Sequence, residues 1–412
     1  MTALPTQPPE FREWSSGLRN PLAQAGTVWK RVQPADLEAT RRALQLRRVD
    51  PGGLLAMSGQ VLGPVTEWAA LGNNVIGAWN WRGVDLADQY RAVMSAAGAF
   101  IASAMCYLKV SGPDAGRVLD ALSPRSVSDI PVNAAKFVLF TTPAGTVDEE
   151  AVVVRTGPEE FLLSCGGGKP PSWLNLMAEG FAVCVEPSSV FSFNIKGPQR
   201  LAAVQSLVDS QSDDAVAALE PFQSRLVGTQ VGGLARVLRS VIGYEVWAEQ
   251  DVLAAVWRQL LEDRPAITPC GWELLTVYRL ECQEILFGLF PVDLHAGTTL
   301  FEVGAGWMVR SDRHAQRNFV GREALTTASG AKRFRLTGLR AVDDNAIQPV
   351  LGQEVLTAAR HFAGYVTSAA WSPREGRFLA FAHLLPESVN GSEVHVAGAR
   401  WEVRSVPFGV GS

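Results

Sequence analysis

The feature that most constrains the fold is a series of short apolar segments in the C-terminal part of the chain. Gly, Asn or Pro separates most of these segments, and strands at this spacing are typical of a small all-β unit. We therefore predict a β-barrel domain over residues 331–412. The predicted strands cover residues 334–338, 354–357, 363–371, 378–384, 393–396 and 399–406.

Residues 66–330 mix strands and helices, and hairpins replace regular crossovers, which favours an α+β fold over a doubly wound sheet. Residues 191–195 are predicted as a short apolar strand. Residues 243–247 form a further predicted strand that leads directly into an amphipathic helix over residues 251–262. Residues 1–65 are rich in Pro, Arg and Gln and are predicted as an N-terminal extension that packs on the larger body.

The charge balance excludes several classes of function. Lys plus Arg number 37 and Asp plus Glu number 41, so the net charge is −4 and no basic face for nucleic acid or an anionic membrane is expected. No apolar run approaches the roughly 20 residues that span a bilayer. The first residues lack the apolar core of an export signal. We expect a cytoplasmic protein with a small-molecule substrate, and the sequence leaves the oligomeric state open.

The cysteines and histidines form no metal-binding pattern. The five cysteines are scattered without a C-x-x-C pair, and the five histidines show no ligand spacing. We therefore expect neither a bound metal nor a disulfide framework, which suits a reducing compartment.

Three consecutive carboxylates, Asp148, Glu149 and Glu150, lie between a turn at Gly145 and the apolar run of residues 151–154. Such a cluster is more typical of a solvated hairpin tip than of a functional site. The functional alternative is a strand entrance at which one carboxylate points inward.

A second candidate is Glu245, in the predicted strand of residues 243–247. Side chains alternate along a strand, so Glu245 and Trp247 share one face. The residues alone leave two interpretations open: a half-exposed strand residue, or a buried carboxylate that recognises a ligand.

Short motifs occur in a fixed order over roughly residues 70–410. Each is weak by itself, and the series is specific. The motifs are FNIKGPQ (193–199), GYEVW (243–247), PCG (269–271) followed by YRLE (278–281), NFVGREAL (318–325), GYVTS (364–368) with SP (372–373), and PF (407–408). In this order they resemble the aminomethyltransferase family, the T-protein of glycine cleavage and its relatives. NWR (80–82) and FEVGAG (301–306) are similar to a branch with folate-dependent aryl O-demethylases and dimethylsulfoniopropionate demethylases.

The resemblance implies a three-lobed cloverleaf around a central funnel that holds a folate, with a β-barrel as the C-terminal lobe. It implies tetrahydrofolate, or its 5-methyl or 5,10-methylene form, as the cofactor. Glu245, with Trp247 beside it, would accept both the ring N–H and the exocyclic amine of the pterin. Arg279 and Arg322, together with Arg310, are candidates for the carboxylates of the glutamate tail. The family's arginine shortly after Pro-Cys-Gly corresponds to Leu274.

The resemblance also implies catalytic residues, with departures. Glu150 is the best match for an Asp beside the reacting folate nitrogens, and Glu149 is the next best. In the segment of residues 100–105 the family's Asp and His correspond to Ile101 and Ala104, and a demethylase Tyr corresponds to Leu275. Tyr107 or Cys106 is a candidate to replace the lost proton donor. The predicted substrate pocket consists of Phe100, Ala104, Leu275 and Tyr278.

These observations predict a tetrahydrofolate-dependent one-carbon (methyl) transferase. The replaced residues favour a demethylase or a specialised-metabolism methyltransferase over the glycine-cleavage reaction. The alternative is a non-catalytic folate-binding protein, or a repurposed fold that has lost folate. The substrate and the direction of transfer stay open.

Overall fold

The computed structural model describes twelve stretches of the chain. Among these residues, no helix combines the length and the apolar character that crossing a membrane requires. The described stretches are residues 30–32, 65–71, 75–81, 84–101, 105–167, 170–241, 243–263, 267–282, 293–294, 297–310, 317–327 and 332–406.

Strands dominate the architecture, and helices cover the sheets. The strands are β1 (Lys30–Val32), β2 (Val65–Leu71), β3 (Val75–Trp81), β4 (Ala97–Ile101), β5 (Cys106–Ser111), β6 (Ala134–Thr141), β7 (Val147–Gly157), β8 (Glu160–Cys165), β9 (Cys184–Pro187), β10 (Val190–Lys196), β11 (Ser224–Gly228), β12 (Leu234–Arg239), β13 (Gly243–Glu249), β14 (Ile267–Cys270), β15 (Arg335–Ala341), β16 (Glu354–Thr357), β17 (Phe362–Ser372), β18 (Arg377–Leu384), β19 (Glu393–Val396) and β20 (Ala399–Arg404). The helices are α1 (Leu86–Ser95), α2 (Ala115–Asp120), α3 (Leu174–Ala178), α4 (Arg200–Gln205), α5 (Asp213–Ala217), α6 (Gln250–Asp263), α7 (Trp272–Cys282), α8 (Trp307–Arg310) and α9 (Arg322–Thr327).

The central sheet has six strands in the order β11-β12-β13-β10-β4-β14. Its neighbours are antiparallel except β14, which runs parallel to β4. Helix α6 covers one face, where Phe193 meets Trp257 edge-on with ring centroids 5.3 Å apart. Val246, Val256 and Leu260 are fully buried in the same apolar cluster. Covering this face leaves the opposite face of the sheet to point toward the other lobes.

Strand β10 ends at Lys196, immediately before Gly197 and the predicted Gly-Pro step. Gly197 has φ +111°, and a Cβ there would lie 2.5 Å from the carbonyl oxygen of Ala96. Only glycine accepts this backbone and this close approach without strain. The chain therefore turns into α4 at this point, so that β10 ends beside β4.

The second lobe is a five-stranded antiparallel sheet with the order β6-β7-β8-β5-β9. One of its faces has its own apolar core, which includes Phe140, Val153 and Phe161. The other face contributes Tyr107, Val154 and Leu162 to the cluster of the central sheet. The two sheets therefore share a packed boundary.

The C-terminal lobe is a closed six-stranded barrel, β15-β18-β17-β16-β19-β20. Helix α7 packs against β17 and β18 and joins this barrel to the central lobe. The predicted α+β architecture with a C-terminal β-barrel lobe is confirmed. Closure also removes the exposed strand edges that an open sheet of short strands would leave.

Little of the predicted N-terminal extension falls among the described residues. Lys30 of β1 pairs with Ala70 of β2, so at least this part of the extension adds a strand to the three-stranded sheet β1-β2-β3. The motif at residues 407–408 lies outside the described residues.

Candidate functional site

The candidate site lies on the face of the central sheet that α6 does not cover. Asn194 on β10 is directly opposite Glu245 on β13, and Ser192 is opposite Trp247. Directly opposite residues point to the same side of an antiparallel pair, and so does Lys196, two residues after Asn194. We call the surface formed by Ser192, Asn194, Lys196, Glu245 and Trp247 the site face.

Glu245 is a half-buried carboxylate with a fixed orientation. Its Oε2 accepts a hydrogen bond of 2.9 Å from the indole Nε1–H of Trp247, whose side chain is buried. A carboxylate has lone pairs for several hydrogen bonds, so it can accept donors in addition to the indole N–H. This partial burial is compatible with both interpretations that the sequence leaves open, and the role of Glu245 in ligand recognition stays a prediction.

Tyr107 reaches the site face from β5 of the second lobe. Its hydroxyl lies 2.9 Å from Ser192 Oγ and accepts the Ser192 backbone N–H at 3.2 Å. Its ring meets Trp247 edge-on, with centroids 5.7 Å apart. Burial raises the pKa of the Tyr107 phenol well above its ordinary value, and the negative charge of Glu245 raises the pKa further. Tyr107 is therefore a neutral hydrogen-bonding group at physiological pH.

The three acidic residues at the start of β7 are buried, so the interpretation as a solvated hairpin tip is wrong. Asp148, Glu149 and Glu150 are 3%, 0% and 6% exposed. The carboxylates lie against Gly166, Gly167 and Ser172. A distant segment pairs with the turn before them: the Val147 N–H donates to the Thr298 carbonyl at 2.8 Å, and Thr146 pairs with Thr299. The local sequence of the turn gives no sign of this pairing.

Glu150 and Glu149 point to opposite faces of the second sheet. Glu150 shares a face of β7 with Val152. Val152 is directly opposite Ser164 on β8, and Ser164 is directly opposite Tyr107 on β5. Glu150 therefore lies on the Tyr107 side. A Cβ at Gly166 would lie 2.4 Å from Glu150 Oε1, so glycine is required for the carboxylate to lie against this loop.

Glu149 has partners within its own lobe. Its Oε1 accepts the backbone N–H groups of Gly167 at 2.7 Å and of Glu150 at 2.8 Å. Asp148 likewise accepts the backbone N–H and the hydroxyl of Ser172, each at 2.6 Å. Strand alternation separates Glu149 from the Tyr107 side, and both oxygens of Asp148 bond Ser172, so Glu150 is the candidate for the site; the catalytic roles of Glu150 and Glu149 stay predictions.

Arg279 lies at the junction of α7 and the C-terminal barrel. Its guanidinium forms an ion pair with Asp293, which is fully buried, and donates to Ser368 Oγ at 2.8 Å. It also lies over the Phe381 ring, 5.5 Å from the centroid. These contacts occupy much of the hydrogen-bonding capacity of the guanidinium within the protein, so the predicted contact with a folate tail stays a prediction.

Arg322 is the first residue of α9 and lines a surface cavity of about 620 Å³ together with Pro143 and Phe319. Its predicted role in tail binding likewise stays a prediction. The side chain of Arg310 lies outside the described residues.

Three residues of the predicted substrate pocket come together. Phe100, Leu275 and Tyr278 lie in one apolar cluster, and Leu274 is buried in the same cluster. The fourth residue, Ala104, lies outside the described residues.

The residues that sequence analysis missed are the polar members of β10. Ser192, Asn194 and Lys196 alternate with the core residues Phe193 and Ile195. A period of two is the signature of a strand with two different faces, and this signal was present in a segment that we predicted as simply apolar.

Comparisons with known proteins identify the family. The family model of the GCVT N-terminal domain matches residues 78–313, which is more than half of the 412-residue chain. An aminomethyltransferase of Streptomyces avermitilis is 28% identical over 346 residues, covering 78% of this chain and 88% of that protein. An aminomethyltransferase of Burkholderia mallei is 27% identical over 376 residues, covering 89% of this chain and 92% of that protein.

A solved structure agrees at the level of the fold. The crystal structure of glycine cleavage system aminomethyltransferase T from Bartonella henselae aligns with a TM-score of 0.71 at 20% identity, covering 81% of this chain and 92% of that chain. The chain belongs to the aminomethyltransferase family.

Proposed function

We propose that this chain binds a reduced folate at the site face and transfers a one-carbon unit between the folate and a small molecule. The observation that carries the proposal is the carboxylate of Glu245, which is half-buried and held by the Trp247 indole N–H at 2.9 Å. A reduced folate supplies the nitrogen atoms that carry the one-carbon unit. Family membership supports the same class of reaction.

Glu245 has the chemistry that pterin recognition needs. A pterin presents a ring N–H and an exocyclic amine side by side, and a carboxylate accepts both in a short, directional, charge-assisted pair. The Trp247 N–H fixes the rotamer of Glu245 before a ligand arrives. Such preorganisation lowers the entropic cost of binding.

Tyr107 and Glu150 supply complementary groups from the second lobe. The raised pKa of Tyr107 makes it a hydrogen-bond donor and a poor source of a transferred proton. We assign it the task of polarising a leaving oxygen, nitrogen or sulfur. Glu150 is assigned the task of stabilising cationic character at a reacting nitrogen, since a fixed carboxylate in a partly dry site is effective against developing positive charge.

For the substrate, we propose a small molecule with an O-, N- or S-methyl group, as in a demethylase or a specialised methyltransferase. The family's His and Asp correspond to Ala104 and Ile101, which argues against the glycine-cleavage reaction. The same replacements support a second candidate, a folate-binding protein without catalysis.

The binding half is tested by thermal unfolding with tetrahydrofolate and with its 5-methyl and 5,10-methylene forms. At ligand concentrations of 100 to 1,000 times Kd, binding stabilises the fold by about 2.7–4.1 kcal/mol. Glu245→Gln should weaken binding on the order of tenfold to a hundredfold. Glu249→Gln is the matched control, because this exposed carboxylate at the end of the same strand bonds Ser189 Oγ. If none of the three folates shifts the unfolding of the unmodified protein, the proposal fails.

The transfer half is tested by mass spectrometry after incubation with tetrahydrofolate and either methoxy-aromatic compounds or methylamines. Appearance of 5-methyltetrahydrofolate supports the enzyme. Tight folate binding without methyl transfer from any of these donors supports the non-catalytic candidate.

A further inference from the structure

We propose that a cavity beside the C-terminal barrel binds a small organic anion, in which a carboxylate is attached to an apolar body. The cavity has a volume of about 310 Å³, and its lining comes from the turn of residues 301–304, the start of β15, the end of β20 and residues that flank these strands. None of the site-face residues lines it. The proposed anion site is therefore independent of the proposed folate site.

Hydrogen bonds hold the walls of this cavity in place. The Leu336 backbone N–H donates to the Glu302 carbonyl at 2.8 Å, so the turn is joined to β15. The Ser405 backbone N–H donates to Asn390 Oδ1 at 2.9 Å, which joins the residue after β20 to the loop between β18 and β19. Because these walls are fixed before a ligand arrives, binding does not carry the entropic cost of ordering them.

The charged residues of the lining all have the same sign. Lys332, Arg335 and Arg404 line the cavity, and none of the described residues that line it is acidic. Arg335 donates to the backbone carbonyl of Ser388, a neutral acceptor that leaves the guanidinium charge in place. Arg404 pairs with Glu402 at 2.9 Å, but both side chains are partly exposed, and such pairs are weak. The lining is therefore positively charged, and a cleft with charges of one sign attracts the opposite ion.

The rest of the lining favours an apolar body on the ligand. Phe301, Val303, Leu336 and Val406 line the same cavity. Ligand cavities in proteins typically have volumes of about 300–1,000 Å³ and combine apolar walls with a few polar or charged groups. This cavity has that combination at the lower end of the range, which suits a single ring or a short alkyl chain. A bare inorganic anion leaves the apolar side chains without a contact, and the planar guanidinium of arginine matches a carboxylate.

The test compares benzoate with benzamide, a neutral analogue of nearly the same shape, by NMR titration of the full-length, methyl-labelled protein. Benzoate should bind more tightly than benzamide, and more tightly than acetate, which has the charge without the apolar body. Lys332→Gln combined with Arg404→Gln should weaken benzoate on the order of tenfold, because two partly exposed charges are removed. Arg400→Gln is the matched control, because Arg400 is an exposed cation on the same strand that pairs with Asp343 and does not line the cavity.

The same spectra locate the ligand without any substitution. Bound benzoate should show nuclear Overhauser effects to the methyl groups of Val303, Leu336 and Val406, and contacts only to other methyl groups would overturn the assignment even if the double variant did not fold. Equal binding of benzoate and benzamide, or no binding of either, would show that the cavity is not an anion site. Acetate or inorganic phosphate binding as tightly as benzoate would remove the apolar body from the proposal. None of these measurements needs a folate, so their failure is separate from failure of the proposed function.

Discussion

The site face and the junction between α7 and the C-terminal barrel both contain buried or half-buried charged side chains, but the partners of these charges differ between the two regions. At the junction, Asp293 accepts from the Arg279 guanidinium and from the hydroxyls of Thr367 and Ser368. Glu281 accepts from the hydroxyls of Tyr90 and Ser372 in the same way. Each carboxylate has donors from two or three different elements, so these charges hold lobes together.

On the site face, polar groups of the central sheet and of the second lobe orient one another. The Trp247 indole holds Glu245, and Ser192 holds Tyr107. Lys196 has aromatic faces beside it. Charge and burial alone therefore do not distinguish a candidate binding site from a structural junction. The useful distinction is between buried carboxylates that accept hydrogen bonds from several elements, such as Asp293 and Glu281, and a half-buried carboxylate such as Glu245, which a residue of its own strand orients.

The largest expected effect is at the junction. Asp293→Asn removes the charge that pairs with Arg279 and should destabilise the fold by about 3–5 kcal/mol, because one buried charge is left uncompensated. Urea unfolding measures the loss. Asp343→Asn, which breaks an exposed pair with Arg400, should change the unfolding free energy little. Equal effects of the two substitutions would contradict the role that we give to the junction.

The next effect concerns the orientation of Glu245. Trp247→Phe removes the indole N–H but keeps an aromatic side chain, so tetrahydrofolate affinity should fall roughly tenfold. The unfolding free energy of the unliganded protein should change much less than in Asp293→Asn. Calorimetric titration provides the affinity, and an unchanged Kd would show that Trp247 does not position Glu245 for the ligand.

Protonation of His383 at the junction should make the unfolding free energy depend on pH. Its Nε2–H donates to the Asp293 carbonyl at 2.7 Å, and burial lowers the pKa of the imidazole below its ordinary 6.5. The neutral form is therefore favoured in the folded protein. Its contribution to stability is complete above pH 6.5 and is lost as the pH falls through the lower folded-state pKa. His383→Gln should flatten this acid limb in urea unfolding, whereas His361→Gln, at an exposed position, should leave it steep.

The smallest expected effect is at Tyr107 in alkaline solution. Because burial raises the pKa of this phenol above its ordinary 10, its stabilising contribution is complete below pH 10 and is lost as the pH rises further. Tyr107→Phe should reduce the loss of unfolding free energy between pH 9 and roughly 11. Tyr365 has a raised pKa for the same reason, so a residual loss is expected. A Tyr107→Phe protein with an alkaline limb as steep as that of the unmodified protein would argue against a buried neutral phenol.

Local patterns in the sequence determined much of the fold. The spacing of short strands predicted the barrel, and alternation placed Glu245 and Trp247 on one face. The same alternation is present in β10 at Ser192, Asn194 and Lys196, but we predicted that segment only as an apolar strand. These features repeat within a few residues, so they can be recognised without knowing what the strand packs against.

Only the tertiary structure decided which charged residues are buried and what they meet. The carboxylates of residues 148–150 are buried against Gly166, Gly167 and Ser172, and the segment around Thr298 pairs with the turn before them. Arg279 meets Asp293 because α7 packs against the barrel. Tyr107 reaches Ser192 because two separate sheets share a boundary. In each case the solvation of a charge or a hydroxyl depends on residues distant in sequence, and the local pattern carries no information about them.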